Sequence, residues 1–394
     1  MLSARAIAKD DFSVIARVDD LVMRAVKRNA SDIHLESNVK DLRVRYRIDG
    51  VLYDEQNIES SLALQIISRI KILAHINIAE KRVPQDGKFR INQQNYAIDL
   101  RVSTFPSIYG EKIVIRILDR TDHTIELEKL GFQPSILVTF KDLINRSNGF
   151  LLVTGPTGSG KTTTLYAALA ALHTPEKNII TLEDPVEYNL DGITQGQIHP
   201  EAGFTFERGM RALLRQDPDI AMVGEIRDKQ TARIAIEAAL TGHLVLSTLH
   251  TNGAPAAIMR LMDMGIEPFL INASVTGIVA QRLARKICMH CRIEVTPTAQ
   301  EIKILEQLPG KAITTIFAGK GCSLCFNLGY KGRIGIFELL VMNNTLRSLI
   351  VQNPFFDAIN AQALESGMQT LLYDATQKLV DGIITLQELM RVII

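Results

Sequence analysis

Phe150-Leu-Leu-Val-Thr-Gly-Pro-Thr-Gly-Ser-Gly-Lys-Thr-Thr-Thr-Leu-Tyr-Ala-Ala168 decides how this chain reads. Four apolar residues lead into a glycine-rich turn, and a helix-forming stretch follows. The turn, Gly155, Pro156, Thr157, Gly158, Ser159, Gly160, Lys161, Thr162, matches the pattern G-x-x-x-x-G-K-[ST] in its strand–loop–helix setting. Glycines let consecutive backbone N–H groups converge on phosphate oxygens, and the helix N-terminus adds a partial positive charge. Lys161 supplies a full charge to the β- and γ-phosphates, and the Thr162 hydroxyl can ligate Mg²⁺. Thr163 completes the expected nucleotide-contacting run. The alternative, a chance glycine-rich turn, does not account for both flanks.

Outward from this loop, short apolar strands alternate with helical stretches: Phe150–Val153, Ile179–Leu182, Ile220–Val223 and Leu244–Leu246. Continuous apolar strands belong to a sheet covered on both faces, so the fold class is α/β with a nucleotide-binding core. Acids follow two of these strands. Glu225 ends Asp217-Pro-Asp-Ile-Ala-Met-Val-Gly-Glu225 and suits Mg²⁺ across from Thr162. Glu183, in Thr181-Leu-Glu-Asp-Pro-Val-Glu187, stands where catalytic groups emerge from open α/β sheets. Hydrolysis needs a group to orient the attacking water. We assign that role to Glu183 and the metal to Glu225, an assignment the sequence also permits in reverse. Either acid is alternatively a solvated loop residue or a helix cap. His250 follows the strand ending at Leu246 and is either a γ-phosphate sensor or a structural hydrogen-bonding residue.

The N-terminal part reads differently. Apolar residues at helical spacing over 12–28 predict a helix ended by Asn29. Arg43–Ile48 alternates as a strand, and Asp49-Gly50 predicts a hairpin turn. A helix is expected over Leu62–Ala79, and strands over Tyr96–Val102 and Lys112–Leu118. These form a small α+β domain over 1–120, with a linker over 121–134 and the α/β domain over 135–394. Residues 336–394 read as helical.

The chain has 394 residues, a formal net charge of +1, 46% hydrophobic and 22% charged residues. The balanced charge and the lack of aromatic–basic stretches argue against nucleic acid as a partner. No apolar run approaches the roughly 18 residues of a membrane span. The N-terminus, with early charges and no apolar signal core, places the protein in the cytoplasm, to be recruited to a membrane by partners.

The four cysteines form two C-x-x-C pairs, Cys288/Cys291 and Cys322/Cys325, separated by 30 residues. In a cytosolic chain this suits tetrahedral Zn²⁺ in a closed structural site over 286–330. A redox role would need only one pair. His290 is expected to be a bystander.

Taken together, these motifs resemble the secretion ATPase superfamily, specifically the type II secretion and type IV pilus assembly (extension) ATPases. Matching stretches run from Ser31–Glu36 through Val44–Gly50, Ala79–Gly87, Asp99–Ser103 and Gly110–Arg116. They continue through the phosphate loop, an acidic box (Glu183–Tyr188), Asp217–Asp228, a histidine box (Leu244–Asn252), the tetracysteine element, Gly332–Leu339 and Gly367–Leu371. The resemblance implies a RecA-like P-loop ATPase core that uses ATP and Mg²⁺. It also implies a homo-hexameric ring beneath an inner-membrane platform protein, driving assembly of pilin-like subunits. The N-terminal domain of such a ring closes over nucleotide with arginines, at Arg101 and Arg116 by position. Arg116 sits within an apolar run, where an unpaired charge is costly and invites an anion; the alternative for both arginines is an ordinary strand salt bridge. Arg208, Arg211 and Arg215 are weaker candidates. The tetracysteine element favours extension over retraction motors. A non-hydrolysing ring would tolerate loss of the acids, which are present here. Two departures stand out: about 30 residues precede Ser31, where relatives usually carry a further docking domain, and Gly253 replaces a more usual acid.

Overall fold

The computed structural model describes residues 4–93, 96–119, 126–310, 312–352 and 354–393. It divides into two compact units, Met1–His123 and Thr124–Ile394. The sequence-based boundary at Arg120 and the first residues of the expected linker lie outside the described residues.

The first unit runs α1 (Ala4–Lys27), β1 (Ala30–Ser37), β2 (Asp41–Ile48), β3 (Val51–Asp54), β4 (Ile58–Glu59), α2 (Ser60–Leu73), β5 (Gln85–Gln93), β6 (Tyr96–Ser107) and β7 (Gly110–Asp119). Its strands pair antiparallel in the order β3-β2-β1-β7-β6-β5, with β4 on β2. Both residues of the Asp49-Gly50 turn have positive φ (49° and 87°), the geometry that matches hairpin twist. Val18, Leu21 and Val22 of α1 and Ile66 and Ile70 of α2 are buried, as are Leu42, Val44, Tyr46 and Ile115 of the sheet. The Tyr46 hydroxyl donates to the Leu21 carbonyl at 2.8 Å. Both predicted helices differ in extent. The first starts at Ala4, well before residue 12, and stops beside Asn29, whose φ is +54°. The second ends at Leu73 instead of Ala79. His75 turns left-handed (φ +57°) and Ile76 N–H returns to the Lys71 carbonyl at 2.8 Å, closing the helix end.

The second unit opens with α3 (Pro134–Ile144), β8 (Gly149–Thr154), α4 (Lys161–Leu172), β9 (Ile179–Glu183), β10 (Thr194–Gln197) and α5 (Phe206–Leu213). It continues with β11 (Ile220–Val223), α6 (Lys229–Leu240), β12 (Leu244–Leu249), α7 (Ala254–Asp263), α8 (Pro268–Ser274) and β13 (Val275–Ile287). The cysteine segment contributes β14 (Arg292–Val295), α9 (Ala299–Leu305) and β15 (Ile316–Gly319). Then come β16 (Tyr330–Val341), α10 (Asn344–Gln352), α11 (Phe356–Glu365), α12 (Leu371–Val380) and α13 (Leu386–Ile393). The main sheet has the order β10-β9-β11-β12-β8-β13-β16 and is parallel except for β16. Alternate residues of its inner strands feed two separate cores. Leu151 and Val153 pack with Phe140, Leu165 and Leu169 on one face; Phe150 and Leu152 pack with Ala235, Ile258 and Ile278 on the other. This is why those strands read as uninterrupted apolar runs.

The expectation of a helical 336–394 is corrected at its start. Ile336–Val341 completes β16, antiparallel to β13, with Phe337, Glu338 and Leu340 buried. Helices begin only at Asn344. The segment is a two-face-buried edge strand, whose apolar run periodicity alone cannot distinguish from a helix. No helix among the described residues is long and apolar enough to cross a membrane.

Candidate nucleotide site and tetracysteine centre

The phosphate loop joins the carboxyl end of β8 to α4. Gly155, Gly158 and Gly160 carry φ of 150°, 76° and 87°, values that side-chain-bearing residues rarely adopt. Lys161 opens α4, is 8% exposed, and donates from Nζ to the carbonyls of Gly155 (2.9 Å) and Pro156 (3.1 Å). Burial lowers its pKa; the Glu225 carboxylate opposes that shift and the Arg282 guanidinium adds to it. Ser159 is buried and its Oγ has no hydrogen-bond partner among the described residues. Thr162 is exposed at the helix start and Thr163 is half-buried.

Parallel strands bring the acids to the same sheet edge as this loop. Glu225 follows β11 and accepts hydrogen bonds from Arg227 and, at 3.3 Å, from the ring Nε2 of His250. Partial burial disfavours its charge, but Arg227 and His250 prevail and hold the carboxyl below the usual carboxylate range. Arg227 also lies 3.8 Å from Asp184. His250 is half exposed and follows β12, whose register with β8 pairs Leu249 with Thr154. The Thr251 N–H donates to Thr154 Oγ1 at 2.9 Å, tying the histidine loop to the strand that enters the phosphate loop.

Glu183 closes β9 and is 2% exposed. Its Oε1 accepts from Thr181 Oγ1 (2.5 Å) and Gln195 Nε2 (3.1 Å), and its Oε2 accepts from the Tyr166 hydroxyl. Three of roughly four acceptor positions of a carboxylate are thus filled by fixed donors. Burial, followed by the bond to Glu183, pushes the Tyr166 phenol far above its ordinary pKa. The sequence reading missed these partners. Tyr166 lies beyond Lys161 on α4 and Gln195 on an edge strand, and neither belongs to a recognisable motif.

The arginines of the first unit are cross-strand neighbours, Arg101 on β6 opposite Arg116 on β7. Arg101 is exposed, and its side chain makes no hydrogen bond or ion pair among the described residues. Arg116 makes an ordinary strand ion pair here: its side chain is 64% exposed and its Nε lies 3.1 Å from Asp32 Oδ1. Alternation places it on the sheet face away from α1 and α2, so the apolar neighbours in sequence point the other way. Like charges directly opposite each other disfavour the pairing unless an anion joins them. Arg208, Arg211 and Arg215 make local contacts with the Gly203 carbonyl, Glu207 and the Arg211 carbonyl, as a solvated helix face does.

The cysteines converge although 30 residues separate the pairs, because β14, α9 and β15 form an excursion between the two turns. Cys288 Sγ lies 3.9 Å from Cys322 Sγ, Cys291 3.9 Å from Cys325, and Cys322 3.7 Å from Cys325; all four sulfurs lie within 4.8 Å of one another. Four thiolates about 2.3 Å from a tetrahedral Zn²⁺ would stand about 3.8 Å apart, so this donor set fits the ion. N–H groups of Cys322 and Gly329 donate to Cys325 Sγ at 3.2 and 3.3 Å, a polar shell of the kind that supports a thiolate ligand. His290 is exposed and outside the cluster.

A family model described as Type II/IV secretion system protein matches residues 7–391. Type II secretion system protein E of Klebsiella pneumoniae is 46% identical over 385 residues, covering 98% of this chain and 77% of that protein. Type IV pilus assembly ATPase PilB of Thermus thermophilus is 46% identical over 377 residues, covering 95% of this chain and 42% of that protein. Among solved structures, the pilus retraction motor PilT with bound ADP is 25% identical with a TM-score of 0.61, covering 94% of this chain and 95% of that one. The Legionella pneumophila ATPase DotB is 21% identical with a TM-score of 0.69, covering 95% of both chains, a likeness of fold.

Proposed function

The chain belongs to the type II/IV secretion system protein family, and we propose that it is a Mg²⁺-dependent ATPase motor energising assembly of a type IV pilus or type II secretion pseudopilus. The observation that carries this reading is the phosphate loop with buried Lys161 at the head of α4, flanked at the same sheet edge by Glu225–His250 and by Glu183. In this reading the second unit is a RecA-like core. The glycine-rich backbone from Gly155 to Thr163 cradles the phosphates, and Lys161 leaves its own loop carbonyls to neutralise them. Thr162 and Glu225 offer hard oxygen donors of the kind Mg²⁺ takes, and the ion would offset charge on the β- and γ-oxygens. Glu183 has one open acceptor position with which to orient the attacking water. His250, bonded to Glu225, senses the γ-phosphate. Arg101 and Arg116 are the arginines that would meet nucleotide phosphate, Arg116 exchanging Asp32 for it. Cys288, Cys291, Cys322 and Cys325 hold a structural Zn²⁺. The working unit is a homo-hexamer in the cytoplasm, recruited by an inner-membrane platform protein. The 46% identity to a pilus assembly ATPase, against 25% to the retraction motor, favours extension over retraction.

Steady-state ATP hydrolysis with Mg²⁺, paired with light scattering for particle mass, tests this. Turnover by a ring-sized particle, lost in Lys161→Ala and Glu183→Gln, is expected. Normal turnover in Lys161→Ala would overturn it.

A further inference from the structure

One arginine beside the phosphate loop has no role in the scheme above. β13 pairs in parallel with β8 as far as Ala280 opposite Thr154, so its next residues run along the wall of the phosphate loop. A Cβ at Gly155 would lie 2.4 Å from the Gln281 carbonyl oxygen, and one at Gly160 would lie 2.8 Å from Gln281 Nε2 and 3.2 Å from Leu283 Cδ1. Gln281 faces α4, where its Oε1 accepts from Thr164 at 2.7 Å. Between Gln281 and Leu283 stands Arg282. Its Nη2 reaches across to the histidine loop, 3.3 Å from the Asn252 carbonyl and 3.2 Å from Asn252 Oδ1. Its Nη1 is buried and has no hydrogen-bond partner among the described residues. Among the described residues no carboxylate bonds this guanidinium; Glu338, the acid that acts on it, is occupied by the N–H groups of Ala254 (2.7 Å) and Leu371 (3.4 Å).

A guanidinium with a buried, unsatisfied N–H is costly, and a second cation within its field makes it more so. Arg282 and Lys161 repel each other, and both are partly desolvated. Natural folds keep such an arrangement where an anion completes it. The anion that the neighbouring loop is shaped for is a polyphosphate.

We infer that Arg282 is a nucleotide-binding residue: its unpaired Nη1 takes a phosphate oxygen of the nucleotide held by the adjacent loop, while its Nη2 keeps the Asn252 loop in register with that phosphate. This rests on the ATPase reading of the same loop.

The alternative is a purely structural arginine that pins Asn252, and the two differ in what a Met replacement does. A structural arginine would lower nucleotide-free stability on replacement and leave affinity unchanged. A phosphate ligand leaves nucleotide-free stability unchanged or raised, since a repelled, half-satisfied charge is removed. It would cost about tenfold or more in affinity, the scale of one charge-assisted hydrogen bond. The experiment measures binding of a fluorescent ADP and of ATP to Arg282→Met, Arg282→Lys and Lys161→Ala, alongside melting without nucleotide. Expected are weakened binding of both nucleotides to Arg282→Met, partial recovery in Arg282→Lys, and melting of Arg282→Met no lower than the parent. Affinity within about twofold of the parent in Arg282→Met, or a lowered nucleotide-free melting temperature with unchanged affinity, overturns the inference. Lys161→Ala separates the levels: if it binds nucleotide normally, the phosphate-loop reading itself fails; if it alone loses binding, only the assignment of Arg282 does.

Discussion

Replacing Tyr166 by Phe removes one of the three donors to the buried Glu183 carboxylate while keeping the ring's volume. The phenol oxygen donates to Glu183 Oε2 and receives longer contacts from Gln195 Nε2 (3.3 Å) and the Glu187 N–H (3.4 Å). The ring itself stays, edge-on to Tyr188 at 4.6 Å, so no ring-sized cavity opens. A hydrogen bond to a charged, buried acceptor contributes about 1.5–3 kcal/mol, and the two neutral contacts are long enough to add little. The expected loss of unfolding free energy is therefore about 2 kcal/mol, read by urea denaturation as a lower midpoint with an unchanged slope. The functional consequence follows from orientation. Glu183 keeps Thr181 and Gln195 on Oε1 but loses the donor that fixes Oε2, so its open acceptor position is no longer held in one place. Turnover should fall by about tenfold, the cost of a loosened catalytic group, while ADP affinity stays near the parent value because Lys161 and the loop are untouched. Turnover and stability both equal to the parent would refute the argument that Tyr166 sets the geometry of Glu183. A fall in ADP affinity matching the fall in turnover would show instead that Tyr166 supports the phosphate loop.

Three further outcomes follow from other sites. Purified protein should carry about one zinc per chain by elemental analysis, and Cys325→Ser should lose it; zinc retained in that variant would rule out the four-thiolate site. In the first unit, Lys71 Nζ and Glu111 Oε1 form a 2.7 Å ion pair that is 1% and 4% exposed, with the Glu80 carbonyl as a second acceptor. Lys71→Met should cost about 3–5 kcal/mol in chemical denaturation by stranding the carboxylate, and Lys71→Met/Glu111→Leu should recover most of it; equal losses in the single and double variants would contradict this. Glu388 is buried, which raises its pKa, but bonds from Arg391 and Arg285 outweigh that and hold it at about 2 against an ordinary 4.5. A depressed folded pKa gives stability that is present above about pH 4.5 and fades as pH falls toward about 2. Glu388→Gln should therefore be less stable than the parent at about pH 7 by about 2 kcal/mol, with the gap closing across that window. A gap constant from about pH 7 to about pH 3 would assign the effect to packing.

The elements that build the nucleotide site were legible because each has a strong local cause. The apolar tetrad Phe150–Val153, followed by three glycines and Lys161, admits one chain path: a buried strand, a tight loop and a helix start. The strand ends that deliver Glu183, Glu225 and His250 come from the same two-sided burial. The cysteine quartet was legible in its ligands and not in its closure, since nothing in the 30-residue gap announces that β14 and β15 pair and return the second turn to the first. Extents failed where tertiary contacts decide them. Residues 336–341 carry Phe337 and Leu340 like a helix face, yet hydrogen bonding to β13 makes them a strand. Arg116 lies in an apolar run of sequence, and strand alternation turns it outward onto Asp32.

What stayed hidden is the set of side chains that act through partners distant in sequence. Tyr166 on α4 meets Glu183 at the end of β9 although they lie 17 residues apart; Arg282 on β13 meets Asn252, after β12, across the intervening β8. Such pairs leave no local pattern, so a motif names the groups that face the phosphates while the groups that hold them there emerge only from packing. The same asymmetry explains why Arg282 is informative. A residue placed by a motif is expected to be unsatisfied without its ligand, and Ser159 is so. Arg282 belongs to no phosphate-binding motif, and its buried, unsatisfied Nη1 beside a like-charged lysine therefore needs a cause of its own. Within the described unit, the phosphate loop supplies the nearest one.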